Sequence, residues 1–165
     1  MEVTIVIDEY VLNSIVISRD RYHSFLRWWI NEQDTKAVVI KKIWLRFIRE
    51  KEEELKEFKE TSDFFFGSVR GIITPYREKY AEETQEPTDM EIQVDEVENE
   101  IDATLNIANR HYATCRYIIV RNPENYKGKE VRIGDGRILS PQEFYSLMEV
   151  MDNKKVIEFN NNFSE

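Results

Sequence analysis

The sequence predicts an α/β fold in three layers, with a central, mostly parallel β-sheet flanked by helices. Short runs such as Val3–Ile7 contain only β-branched residues and no charged ones, which is typical of strands that are covered on both faces. Segments with apolar residues at helical spacing separate these runs. Strands that alternate with helices favour βαβ units, and therefore a layered α/β architecture.

The first half of the chain supplies two strands and their helices. We predict a strand that ends before Asp8, and Ser18 is the expected cap of a helix because apolar residues recur after it at helical spacing. In chain order, the predicted elements are a strand at 3–7, one or two helical turns at 10–16, a helix from 18, a strand at 37–40 and a long helix at 42–58.

The second half repeats the alternation. Ser140, Pro141 and Glu143 form a capping-box pattern with proline at the first helical position, so a helix is predicted to begin there. The other predicted elements are a helix at 96–111, a strand at 117–120, a candidate strand at 130–133, a last strand at 155–159 and a frayed tail at 160–165.

Length and charge predict one domain over 1–165 with an acidic insertion at about 74–95. The 165 residues are 41% hydrophobic and 33% charged, and the net charge is −9, which suits a globular chain. Residues 51–100 carry 16 acidic and 6 basic side chains. This segment could engage a basic protein partner, while the acidity argues against strong non-specific nucleic-acid binding. Residues 110–137 are locally basic, so a small basic surface stays open.

Several classes of protein are excluded on composition. With one cysteine and two histidines, the chain has neither an internal disulfide framework nor a Cys/His zinc site. It contains no glycine-rich phosphate loop. We expect no membrane span and no secretory signal, and the simplest location is the cytoplasm. The Glu-, Lys- and Ile-rich composition is compatible with a thermophilic source.

Carboxylates are the residues best placed to carry chemistry. In α/β sheets, ligands bind beyond the carboxyl ends of the strands, and this rule selects Asp8, Arg121 and Asn122. A charge at the end of an apolar strand is costly unless it is paired. Asp102 stands near the start of a helix. Both acids could instead serve the helices, Asp8 as a cap and Asp102 as a first-turn acid. Two carboxylates held together would need a cation between them, such as Mg²⁺ or Mn²⁺.

Three segments resemble the PIN-domain ribonuclease family, in order and over nearly the full chain. Residues 3–8 are similar to its opening strand with a first metal-binding Asp, and residues 102–108 to its D-A-x-x-x-x-A helix. Residues 117–126 resemble its strand-T-R-N/D-x-x-D-F segment. They are followed by a strand and then by residues 140–144, which match the family's S/T-P-x-E-F helix start.

The chain also departs from this pattern. Glu9-Tyr10 replaces the polar pair after the first Asp, and Val120 replaces the Thr of the third segment. The family's helix Glu falls on Arg46 or Phe47, so that Glu50, one turn later, is the nearest substitute. Asn122 occupies the last acidic place, and Asn125 replaces the Asp of x-D-F.

The resemblance implies a PIN-like fold and a metal-dependent endoribonuclease. Asp8 and Asp102 would hold one Mg²⁺ or Mn²⁺, Glu50 would contribute, and Asn122 would bind a ligated water. Arginines would position phosphates of RNA. The candidates are Arg110, Arg116 and Arg121.

Three hypotheses stay open at this point. The first is the nuclease, and the second is a PIN-like protein that has lost catalysis and acts as a binding or scaffold module. The third is an unrelated α/β phosphoryl-transfer enzyme with Asp8 as nucleophile, but the D-x-D-x-T pattern is absent at Asp8–Leu12. Family relatives often dimerise, so a homodimer also stays open.

Overall fold

A four-stranded, all-parallel sheet forms the centre of the molecule, which confirms the predicted α/β class. The computed structural model describes residues 3–32, 35–40, 43 and 97–163. The strands are β1 (Val3–Ile7), β2 (Thr35–Val38), β3 (Cys115–Ile119) and β4 (Ile138–Leu139), in the spatial order β2-β1-β3-β4. The predicted helix at 42–58, apart from residue 43, lies outside the described residues, as do the insertion at 74–95 and Glu50.

Five helices accompany these strands in the described part of the chain. They are α1 (Glu9–Ile17), α2 (Arg21–Glu32), α3 (Val97–Arg110), α4 (Pro141–Met151) and α5 (Asn153–Asn162). Helix α3 packs against β1, whereas α2 packs against α1, α4 and α5. None of the described helices has the length and apolar character needed to cross a membrane.

The order of the strands places a switch point between β1 and β3. From β1 the chain proceeds to β2 on one side, and later to β3 on the other side of β1. Parallel crossovers are right-handed, so connections that leave in opposite directions cover opposite faces of the sheet. A crevice opens at such a point beyond the carboxyl ends of the two strands. Residues that follow Ile7 and Ile119 therefore border this crevice.

Aromatic rings join α2 to the two C-terminal helices. Phe25 is fully buried, and its ring centroid lies 5.9 Å from Phe144, 5.2 Å from Tyr145 and 5.3 Å from Phe159. The pairs with Tyr145 and Phe159 are edge-to-face, a geometry that stabilises a core beyond the area that the rings bury. The same contacts fix α4 and α5 against the layer of α1 and α2.

Two predicted strands are wrong. Residues 130–133 do not pair with the sheet: the Arg132 N–H donates to the Asn109 side chain at 2.7 Å, and a turn at Gly134 with φ +90° precedes β4. Residues 155–159 belong to helix α5. Val156 and Phe159 are buried while Ile157 is 51% exposed, so the buried residues follow a helical spacing of three rather than the alternation of a strand.

The expected cap at Ser18 is also corrected. Ser18 ends α1, and its hydroxyl donates to the Asp20 carboxylate at 2.6 Å. Asp20 in turn accepts the His23 N–H at 2.9 Å, so the aspartate, two residues later, serves the first turn of α2. The capping box at Ser140 and Glu143 is present as predicted, with both reciprocal hydrogen bonds at 3.1 Å.

Candidate functional site

A cavity of about 300 Å³ lies beyond the carboxyl ends of β1 and β3, at the switch point of the sheet. We call it the Asp8 cavity. Loop residues after both strands and the first turns of α3 contribute to its wall. Among its lining residues are Asp8, Glu100, Thr104, Arg121, Asn122 and Tyr126.

Asp8 connects the two strands at this edge. One carboxylate oxygen accepts the Val11 N–H at 2.9 Å and caps α1, and the other accepts the Arg121 N–H at 2.9 Å. The predicted capping role is therefore present. A carboxylate offers about four acceptor positions, so these two bonds leave acceptor capacity on each oxygen.

Burial dominates the electrostatics of this carboxyl group. It raises the pKa of Asp8 above the ordinary value of 3.8, whereas the N–H groups of Arg121 and Val11 act in the opposite direction. The negative charge of Glu9 raises the pKa further. The ionised form of Asp8 is therefore under-stabilised by its surroundings, and a bound cation would favour it.

The hydroxyl of Tyr126 lies close enough to two carboxylates, those of Asp8 and Glu100, for their charges to act on it. The side chain of Tyr126 is buried, and this burial contributes most to the raised pKa of its hydroxyl. The charges of Asp8 and Glu100 raise it as well, while a hydrogen bond with Thr104 lowers it. Both carboxylates therefore act on one phenol inside the Asp8 cavity.

Helix α3 directs Glu100, and not Asp102, toward the cavity. Glu100 and Thr104 are one turn apart, and the Thr104 hydroxyl donates to the Glu100 carbonyl at 2.7 Å. Asp102 is two positions from Glu100, and residues at that spacing do not share a helix face. Its carboxylate accepts a hydrogen bond from Lys129 Nζ at 3.0 Å, and its side chain is 55% exposed.

The polar residues after β3 complete the wall. Asn122 and Asn125 line the cavity, as the position of Asn122 after the strand predicts. Arg121 stands at the rim with its guanidinium carbon 4.8 Å from the centroid of the Tyr10 ring. Amide oxygens and carboxylates are hard donors of the kind that Mg²⁺ and Mn²⁺ accept.

The predicted site residues thus divide into separate groups. Asp8, Asn122 and Arg121 border one cavity, and Asp102 is not among the residues that line it. Arg116 lines a different cavity at the amino end of the strands, and Arg110 is exposed in the last turn of α3. Within the described ranges, no group of three or more His, Cys, Asp or Glu side chains could hold a metal ion.

Glu100 was not among the site residues predicted from the sequence. A signal for it exists: Asp102, Asn106 and Arg110 recur every four residues as a polar stripe, and all three are exposed. Glu100 and Thr104 instead lie beside the apolar side of α3, on which Ile101, Leu105 and Ala108 are buried. The positions of the apolar residues along α3 would therefore have predicted that Glu100, and not Asp102, is the acidic residue on the side of the helix that faces the protein interior.

Comparisons with protein-family models, with curated proteins and with solved structures found no match for this chain. The resemblance to the PIN-domain family therefore depends on the sequence motifs alone.

Proposed function

We propose that this chain is a PIN-like ribonuclease that uses a divalent metal ion in the Asp8 cavity. The observation that carries the proposal is the convergence of Asp8, Glu100 and Asn122 on one polar cavity at the switch point of a parallel sheet. The order of the PIN-like motifs along the chain supports the nature of the substrate. Glu100 takes the part that the resemblance gave to Asp102.

The donor set fits Mg²⁺ or Mn²⁺. These ions are commonly held by one or two carboxylates and keep several waters, and Asp8 and Glu100 supply two carboxylates in a partly buried setting. When bound, such an ion lowers the pKa of a coordinated water and neutralises charge on a phosphoryl oxygen. Glu50 stays the predicted third acid.

The residues of the chain would bind and orient the RNA. Arg121 at the rim, stacked on Tyr10, is placed to contact a phosphate. The Asn122 amide would orient a water beside the carboxylates. The main-chain N–H groups of Val11 and Arg121 hold the Asp8 carboxylate in a fixed position between α1 and the end of β3.

Purified protein with a labelled single-stranded RNA tests this function. We expect cleavage that requires Mn²⁺ or Mg²⁺ and stops with a chelator. Glu100→Gln should slow cleavage by about 100-fold or more, because a neutral amide binds the cation weakly. Asp102→Asn is the matched control and should stay within about threefold of wild type, since it removes only an exposed ion pair. Glu50→Gln tests the third acid in the same assay.

A second candidate is a PIN-like binding or scaffold module without catalysis. The observation in its favour is that both Asp8 oxygens already accept main-chain N–H groups, while Asp102 pairs with Lys129 at the surface. This candidate predicts no heat of Mn²⁺ binding in calorimetry and intact RNA with excess metal. Those two results together would overturn the nuclease proposal. Recovery of a basic protein through the acidic segment would then support the second candidate.

A further inference from the structure

A second cavity, of about 330 Å³, lies at the opposite edge of the same sheet. Val3 begins β1 and Cys115 begins β3, and both line it, so it borders the amino ends of the strands whose carboxyl ends border the Asp8 cavity. We call it the arginine cleft. It is lined by Tyr112, Thr114, Arg116, Arg132 and Arg137, besides the two strand starts.

The arginine cleft is cationic although the whole chain carries a net charge of −9. Arg116, Arg132 and Arg137 are exposed, and no aspartate or glutamate is among the described residues that line the cleft. No ion pair joins these three guanidinium groups to an acid within the described ranges. Each guanidinium group presents a fork of N–H donors that suits phosphate oxygens, and three of them line this one cleft.

Neighbouring residues hold Arg132 and Arg137 in place. The Arg132 guanidinium carbon lies 3.5 Å from the centroid of the Tyr112 ring, and Asn109 fixes the loop by accepting the Arg132 N–H at 2.7 Å and donating to the Glu130 carbonyl at 3.2 Å. Arg137 donates to the Arg116 carbonyl at 3.4 Å and lies over the ring of Tyr117, 5.4 Å from its centroid. Less side-chain entropy is then lost when an anion binds.

An exposed aromatic side chain favours a nucleotide over other phosphate carriers. Tyr112 is 49% exposed, and the Arg132 guanidinium lies over its ring. Arginines interleaved with an aromatic ring are the arrangement by which proteins bind single-stranded nucleic acid, through phosphate contacts and stacking of a base. Phosphoserine peptides carry the charge but have no base to stack.

We propose that the arginine cleft binds the phosphate and base of single-stranded RNA or DNA. This site is separate from the Asp8 cavity, and its binding needs no metal ion. It does not depend on the proposed nuclease activity.

Fluorescence anisotropy of a labelled oligouridylate of about 12 nucleotides, with a chelator present, tests the proposal. We expect wild-type protein to bind and Arg116→Gln/Arg132→Gln to bind at least about 10-fold more weakly. The slope of log affinity against log salt concentration should become shallower by roughly 0.7 for each lost phosphate contact. The double variant Arg116→Gln/Arg132→Lys should recover part of the affinity that Arg116→Gln/Arg132→Gln loses, because lysine keeps the charge at position 132 but lacks the fork of donors.

Lys127→Gln/Lys154→Gln is the matched control. Both lysines are exposed and neither lines the cleft, so the change removes the same charge from elsewhere on a surface where distant charges are screened. Its affinity should stay within about threefold of wild type. Circular dichroism should show that all variants are folded.

Three outcomes would overturn the proposal. They are no binding by the folded wild-type protein, equal weakening by the cleft pair and the lysine pair, and equally tight binding of a phosphoserine peptide. Displacement of the oligonucleotide by a mononucleotide at lower concentration than by inorganic phosphate would support a contact to the base. Displacement by the mononucleotide and by inorganic phosphate at the same concentration would exclude a contact to the base.

Discussion

The Asp8 carboxylate and the Arg121 main-chain N–H are joined by a hydrogen bond of 2.9 Å although the residues are 113 positions apart. This bond ties the end of β1 to the end of β3, on both sides of the switch point. The same carboxylate caps α1 through Val11. One side chain thus stabilises the edge of the sheet from which the candidate site is built.

Replacement of Asp8 should therefore destabilise the protein. In Asp8→Asn, the amide nitrogen replaces one acceptor and faces an N–H donor, so we expect a loss of about 1–3 kcal/mol in the free energy of unfolding. Urea denaturation followed by circular dichroism measures it. Asp102→Asn, which breaks only the exposed pair with Lys129, should cost less than about 1 kcal/mol. Equal losses in the two variants would contradict the structural role of Asp8.

Acidic pH should affect wild type and Asp8→Asn differently. The folded-state pKa of Asp8 is raised by burial, so the folded chain holds this proton more tightly than the unfolded chain does. The contribution of Asp8 to stability is then fully present below the ordinary value of 3.8 and is lost as the pH rises through the raised pKa. The unfolding free energy of wild type minus that of Asp8→Asn should fall across this window. A constant difference would refute the raised pKa.

Arg27 should be required for the stability of the α1–α2 pair. Its buried guanidinium donates to the Ile15 carbonyl at 2.6 Å and to the Ser18 carbonyl at 3.3 Å. Burial lowers its pKa to about 10. Arg27→Met should lose about 2–4 kcal/mol, because it leaves the buried Ile15 carbonyl and the partly buried Ser18 carbonyl without these donors. Lys154→Met, on an exposed position of α5, is the control for thermal denaturation and should change stability little.

The capping box of α4 supports a smaller prediction. Ser140→Ala removes the hydroxyl that accepts the Glu143 N–H and should cost about 1 kcal/mol. Ser146→Ala, on the exposed side of the same helix, should be neutral or slightly stabilising, since alanine is the better helix former. Chemical denaturation of both variants gives the comparison. A loss in Ser146→Ala as large as in Ser140→Ala would show that the cap is not the cause.

Cys115 should resist thiol reagents in the folded protein. The side chain is buried on β3, and burial raises the pKa of its thiol to about 11. At pH 8 the reactive thiolate is therefore a very small fraction. A chromogenic disulfide reagent should label Cys115 slowly in the native chain and rapidly in urea. Rapid labelling without denaturant would show that β3 opens readily at this edge.

Some structural features depend on local chemistry, and the sequence was sufficient for them. The continuous apolar runs around Ile5 and Ile118 can be covered only by layers on both faces, so a parallel sheet followed from them. The capping box at Ser140 acts through bonds between residues three apart. The position of Asp8 after a buried strand predicted the edge of the sheet where the cavity lies.

Other features were decided by packing between distant segments. Residues 155–159 have the composition of a strand, yet Val156 and Phe159 are buried in a helical arrangement against the aromatic cluster of Phe25. The phase of α3, set by its burial against β1, directs Glu100 rather than Asp102 into the Asp8 cavity. The sequence by itself determined the class of fold and the edge of its site, because those depend on local periodicity. Only the tertiary structure decided which acids and which arginines converge, because convergence depends on contacts between residues far apart in the chain.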